Sequence, residues 1–108
     1  MSLYRFKSRE TGDLVMLQPH GQRILEIIGK DPAAAGVILP QQMPAAEQAL
    51  RDAVMLEESH QQRQREEALA NGEPPPQFDS IGLRLRSTPF IEMMQRCEKA
   101  GVGMVWGV

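Results

Sequence analysis

The stretch QPHGQR, residues 18 to 23, holds the residue types best suited to gripping a small anion. It lies where an extended apolar run passes into a helical one, and the first turn of a helix offers unpaired backbone N–H groups and the positive end of the helix dipole. Gly21 would permit close backbone approach, and His20 and Arg23 would add polar donors. That set suits a carboxylate or a phosphate. It lacks the several glycines of a phosphate loop, and a plain strand-to-helix turn accounts for the same residues. Arg84, Arg86 and Arg96 would extend the site into an anion clamp if their segments come together, because guanidinium groups bind carboxylate and phosphate bidentately. The competing expectation is that they pair with carboxylates such as Glu92 or lay their stems over apolar surface.

Other reactive side chains give less. Cys97 is the only cysteine, and it falls on the apolar stripe of a helix with Phe90, Met93 and Met94, where a buried neutral thiol behaves as a small hydrophobe. A nucleophile formed with His20 or His60 through space has no support in the residue pattern. Glu57, Glu58, Glu66 and Glu67 form a helical charge run without a converging second group, and His60 lies in the same polar stretch. No catalytic residue, metal site or cofactor is therefore expected.

Composition narrows the partners. The 108 residues are one domain's worth, 24% charged and 42% apolar, with a formal net charge of −2. A protein that binds nucleic acid through phosphate neutralisation would carry a basic excess, so nucleic acid is not expected. No window approaches the roughly twenty apolar residues of a membrane span, and MSLYRFKSRETGD has no apolar signal core. A cytoplasmic protein without membrane attachment is the expectation. One cysteine makes no internal disulfide, so packing alone must stabilise the chain.

The elements follow from periodicity. In LYRFK, Tyr4 and Phe6 alternate with Arg5 and Lys7, the pattern of a strand with one wet face. SRETGD supplies a turn, and LVMLQ, apolar on both faces, predicts a second strand covered on both sides or central in its sheet. Ile24, Leu25, Ile27 and Ile28 mark a short helix that Gly29 and Lys30 stop. GVIL is a third extended piece, which Pro40 must end or place at an edge. Ser87 or Thr88 can cap a last helix with Pro89 in its first turn; Gly101 ends it, and MVWGV is a final strand. IGLRLR reads either as a strand or as the start of that helix.

Pro44 fits the first turn of a long helix carrying Ala46, Ala49, Leu50, Ala53 and Val54 on one side. Beyond Leu56 the stripe stops, and EESHQQRQREE has no apolar face. A helix running to Asn71 would have about 27 residues and be about 40 Å long, whereas a compact domain of this size has a radius of gyration of about 13 Å. Its end must overhang the body. The heptad repeat fails at His60 and Arg63, which argues against a coiled coil. Residues 57 to 79 therefore read as a solvated helix end followed by a flexible Pro-rich linker. The seven methionines, which adapt to irregular gaps and varied partners, favour an interface slightly.

These pieces predict a single α+β domain over 1–108: a small, mainly antiparallel sheet of three to four strands with about three helices packed on one face, one of them long. Open sheet edges and the overhanging helix make a homo-oligomer or a protein partner the expected association. The chain also resembles a bacterial family of short proteins, domain of unknown function 1840. The resemblance rests on LYRFKS, GDLVMLQPHGQRILEIIGK, GVILPQQMPAA, PFIEMMQR and the terminal MVWGV, in one order over nearly the whole chain. It implies a cytoplasmic bacterial protein complete at this length, and it brings no activity, cofactor or site residues with it. Two functions stay open: a non-enzymatic interaction or regulatory module, and a binder or enzyme for a small anionic metabolite using residues 18–23, with His20, Gly21, Arg23, Arg84 and Arg86 as its ligand-binding set.

Overall fold

Phe6 is the pivot of the core. In the computed structural model, which describes residues 2–78 and 82–107, its ring is fully buried, meets Phe90 edge-on at 5.0 Å and lies 6.2 Å from Trp106. It ends strand β1 (Leu3–Phe6), which pairs antiparallel with β2 (Leu14–Leu17) in the register Leu3↔Leu17 to Phe6↔Leu14. Helix α1 (Gln18–Ile27) follows at once, and Gly29 leaves it at φ +82°, a conformation open to glycine. Strand β3 (Gly36–Ile38) and a 3₁₀ turn (Pro40–Gln42) lead into α2 (Met43–Ala70); α3 (Leu83–Ala100) and β4 (Met104–Trp106) complete the order.

The expected single sheet of three to four strands is instead two small antiparallel sheets, β1–β2 and β3–β4. They meet at one bridge, where Lys7 N–H donates to Val105 O at 2.8 Å and Val105 N–H donates to Lys7 O at 2.9 Å. The reason is length. Strand β4 has three residues, Gly107 turns the chain away at φ +75°, and Lys7 stands one step past the end of β1. Only one residue pair is left to bond. A second expectation also fails: β2 is not covered on both faces. It pairs only with β1 among the described residues, and Val15 and Leu17 stay 42% and 40% exposed.

The inward residues of both sheets, Phe6, Ile38, Met104 and Trp106, join one cluster with Ile24 and Leu25 of α1, Leu50 of α2, and Phe90, Met94 and Cys97 of α3. The intervening loop is tied down by the aromatics: Trp106 Nε1–H donates to Ala34 O at 3.0 Å and the Tyr4 hydroxyl donates to Pro32 O.

Helix α3 settles the reading of IGLRLR. From Leu83 the chain is helical, while Ile81 lies outside the described residues. The helix starts four residues before the predicted Ser87 cap, so Pro89 lies inside it. Burial explains the early start, because Leu83 and Ser87 both face the core at 2% and 1% exposure. The stop is as predicted: Gly101 is left-handed at φ +72°, and Val102 N–H reaches back to Cys97 O at 3.0 Å.

Helix α2 runs 28 residues, and the molecule measures 52 × 30 × 21 Å with a radius of gyration of 16.0 Å, against about 13 Å for a compact chain of this length. The distal half does overhang. The Pro-rich segment returns to it, since the Arg65 guanidinium lies 5.0 Å from the centre of the Phe78 ring and Ala68 is buried. No helix among the described residues is long and apolar enough to cross a membrane.

Candidate functional site

Three of the five residues picked out for anion binding line one cleft. It has a volume of about 130 Å³, and His20 and Arg23 of α1 face Glu57 and Gln61 of α2 and Arg86 of α3 across it, with Phe78 closing one side. Local chemistry explains the placement. Pro19 lies in the first turn of α1, where its missing N–H costs nothing, and the apolar side chains of Ile24 and Leu25 fix that helix against the core. His20 and Arg23, one turn apart, then stand on its outer side toward α2.

The centre of the cleft is a carboxylate that belongs to the protein. Glu57 Oε1 pairs with Arg23 at 2.9 Å, and Glu57 Oε2 accepts the Leu83 N–H at 3.0 Å. Helix α3 has Gly82 at its N-cap and no side-chain cap of its own, so Glu57, from another helix, satisfies a first-turn donor and stands at the positive end of the dipole. The anion site expected at the start of α1 thus has a counterpart at the start of α3, filled from within. An external anion in this cleft would share Arg23 with Glu57 and draw on Arg86 and His20, which are themselves engaged.

Gly21 and Arg84 serve elsewhere. Gly21 is buried under Tyr4, and a Cβ on it would lie 2.6 Å from the Tyr4 ring, so its smallness makes room for the ring rather than for a ligand. Arg84 reaches Glu58 bidentately, its Nε and Nη2 donating at 2.8 and 2.7 Å. Its partner is therefore Glu58, not Glu92. Those hydrogen bonds hold the Glu58 carboxyl below the ordinary glutamate value. Arg96 is exposed on α3 and outside the cleft lining.

Cys97 is fully buried, and its Sγ lies 3.1 Å from the Ser8 hydroxyl. It packs as a core residue. Among the described residues no group of three His, Cys, Asp or Glu side chains is arranged to hold a metal ion.

Sequence reasoning missed Glu57, Gln61 and Phe78. A signal for Glu57 existed, since it stands three residues after Val54 and seven after Leu50, on the buried face of α2. Phe78 is the lone aromatic of the stretch from 57 to 79, which marks it as an anchor.

A family described as "Domain of unknown function (DUF1840)" aligns with residues 2–106. No curated protein and no solved structure matches.

Proposed function

Since the chain belongs to the DUF1840 family, whose description carries no activity, function rests on geometry, and we propose that the protein is a non-enzymatic interaction or regulatory module that engages a protein partner along α2. The observation that carries this reading is the apolar surface on the overhanging helix: Met55, Leu56 and Leu69 are 66%, 73% and 82% exposed. Large apolar side chains held in water on a projecting helix are the usual currency of helix-mediated recognition. Glu57 and Glu58, which follow Leu56 directly, are paired with Arg23 and Arg84 within the molecule and hold this part of the helix in place.

The test is a pair of exposed substitutions, Leu56→Glu and Leu69→Glu, in the full chain. Both should leave the circular dichroism spectrum and melting temperature unchanged and reduce recovery of a cross-linked partner at least tenfold. Equal recovery by wild type and double variant sinks the reading.

A second reading is supported by the gathering of His20, Arg23 and Arg86 around one cleft. A small anionic metabolite held there would lose about 1–3 kcal/mol of binding in His20→Ala or Arg86→Ala. Thermal-shift screening with phosphate, citrate and other small carboxylates should then find a stabilising ligand whose effect vanishes in those variants. Failure of every anion to raise the melting temperature rules this reading out.

A further inference from the structure

A second cleft, on the other side of the α2–α3 contact, has a feature the first lacks. It measures about 200 Å³, its walls are Val54 and Met55 of α2 and Ile91 of α3, and Ser87 lines it. Ser87 is 1% exposed, and its hydroxyl is the one buried side-chain polar atom without a hydrogen-bond partner among the described residues. A buried hydroxyl left unpaired is costly, so native proteins seldom keep one without a use. The neighbouring Thr88 shows the ordinary solution: its hydroxyl donates to the Arg84 carbonyl one turn back, at 2.7 Å. Ser87 does not take it.

Volume and charge restrict what would complete the site. One water occupies about 10–15 Å³ on a comparable scale, whereas an apolar cavity of about 150 Å³ accepts benzene. The cleft therefore exceeds a hydration site and matches a molecule of about six to ten heavy atoms. Its two cations are already neutralised, Arg51 by Glu47 at 3.0 Å and Arg84 by Glu58 at 2.7 Å. An anion would have to displace one of those carboxylates. A neutral ligand would not, and the stems of the two arginines extend the apolar wall.

We propose that the α2–α3 cleft is a binding site for a small uncharged molecule with an apolar ring or branched body and one hydrogen-bonding oxygen, which pairs with the Ser87 hydroxyl. The site shares Met55 with the proposed partner surface and has no lining residue in common with the His20 cleft.

The experiment is a titration of the full-length ¹⁵N-labelled protein with phenol and cyclohexanone, and with toluene as the oxygen-free control, read by amide shifts. Phenol and cyclohexanone should give saturable shifts in residues 51–55 and 84–91. In Ser87→Ala their dissociation constants should rise about fivefold, the loss of one neutral hydrogen bond, while that of toluene stays the same or falls. Met55→Trp, a substitution at an exposed position on the cleft wall, should block all three and keeps the test valid if Ser87→Ala misfolds. Absence of saturable shifts up to the solubility limit, shifts elsewhere only, or oxygen-bearing probes indifferent to Ser87→Ala would each overturn the proposal.

Discussion

Glu57, on α2, ties α1 and α3 together through Arg23 and Leu83. Its side chain is 20% exposed and holds both Arg23 and the first amide of α3, so its loss leaves a helix start without an acceptor. We expect Glu57→Ala to cost about 1–2 kcal/mol in urea unfolding. Glu57→Gln, which keeps an acceptor oxygen, should cost less; equal midpoints for both variants and wild type would show that the contact does not stabilise the fold. Glu58 teaches a separate lesson about pH. Hydrogen bonds from Arg84, opposed by desolvation and aided by its charge, depress the carboxyl's pKa in the folded state. The contribution is therefore present above the unfolded value of about 4.3 and is lost as pH falls through the folded one. Glu58→Gln should make the loss of stability between about pH 5 and pH 3 shallower and lower neutral stability by the same amount, a small one because both partners are exposed. Parallel acid limbs in wild type and variant would contradict this.

Two elements carry local conflicts that tertiary contacts override. In α3, Pro89 removes the bond to the carbonyl of Leu85 and sits where helices disfavour it by about 3 kcal/mol, yet burial of Leu83 and Ser87 draws the helix through it. Pro89→Ala should stabilise the protein by about 1–2 kcal/mol, less than the full propensity difference because proline also restricts the unfolded chain. A lower melting temperature in that variant would mean that Pro89 has a packing role. In α2 the conflict is length. The apolar stripe ends near Leu56, and helix beyond it is supported by i, i+4 contacts such as Gln62 to Glu66 at 3.2 Å and by the Phe78 return. Both ends of α3 illustrate what is legible locally: the Gly101 stop follows from a residue type, whereas the start depends on a carboxylate from another helix.

At the scale of the molecule, the overhang and the short strands set the shape. Small-angle scattering at low concentration should give a radius of gyration at or slightly above 16.0 Å. A value near 13 Å, the compact figure for this length, would mean that the α2 arm folds back. The same series run to high concentration tests association, since β2 and β3 each leave an edge unpaired among the described residues and five large apolar residues, Leu3, Val15, Leu17, Val37 and Leu39, are exposed in and beside the strands. A radius that does not change with concentration would count against a homo-oligomer.

The period of the apolar residues and the turn chemistry of Gly29, Pro44 and Gly101 were enough by themselves to specify α+β content, three helices and the long overhanging one, because those signals act within a few residues. The split of the strands into two sheets was not so specified. It depends on β1 and β4 overlapping by a single residue, which only the packed geometry of separate segments decides. The site divides in the same way. His20, Arg23 and Arg86 were visible as donors, but their meeting, the tie of Arg84 to Glu58 and the occupation of a helix start by Glu57 join residues 26 and more apart in sequence. Contacts of that range follow from the docking of α1, α2 and α3 around one core, and no local pattern encodes them.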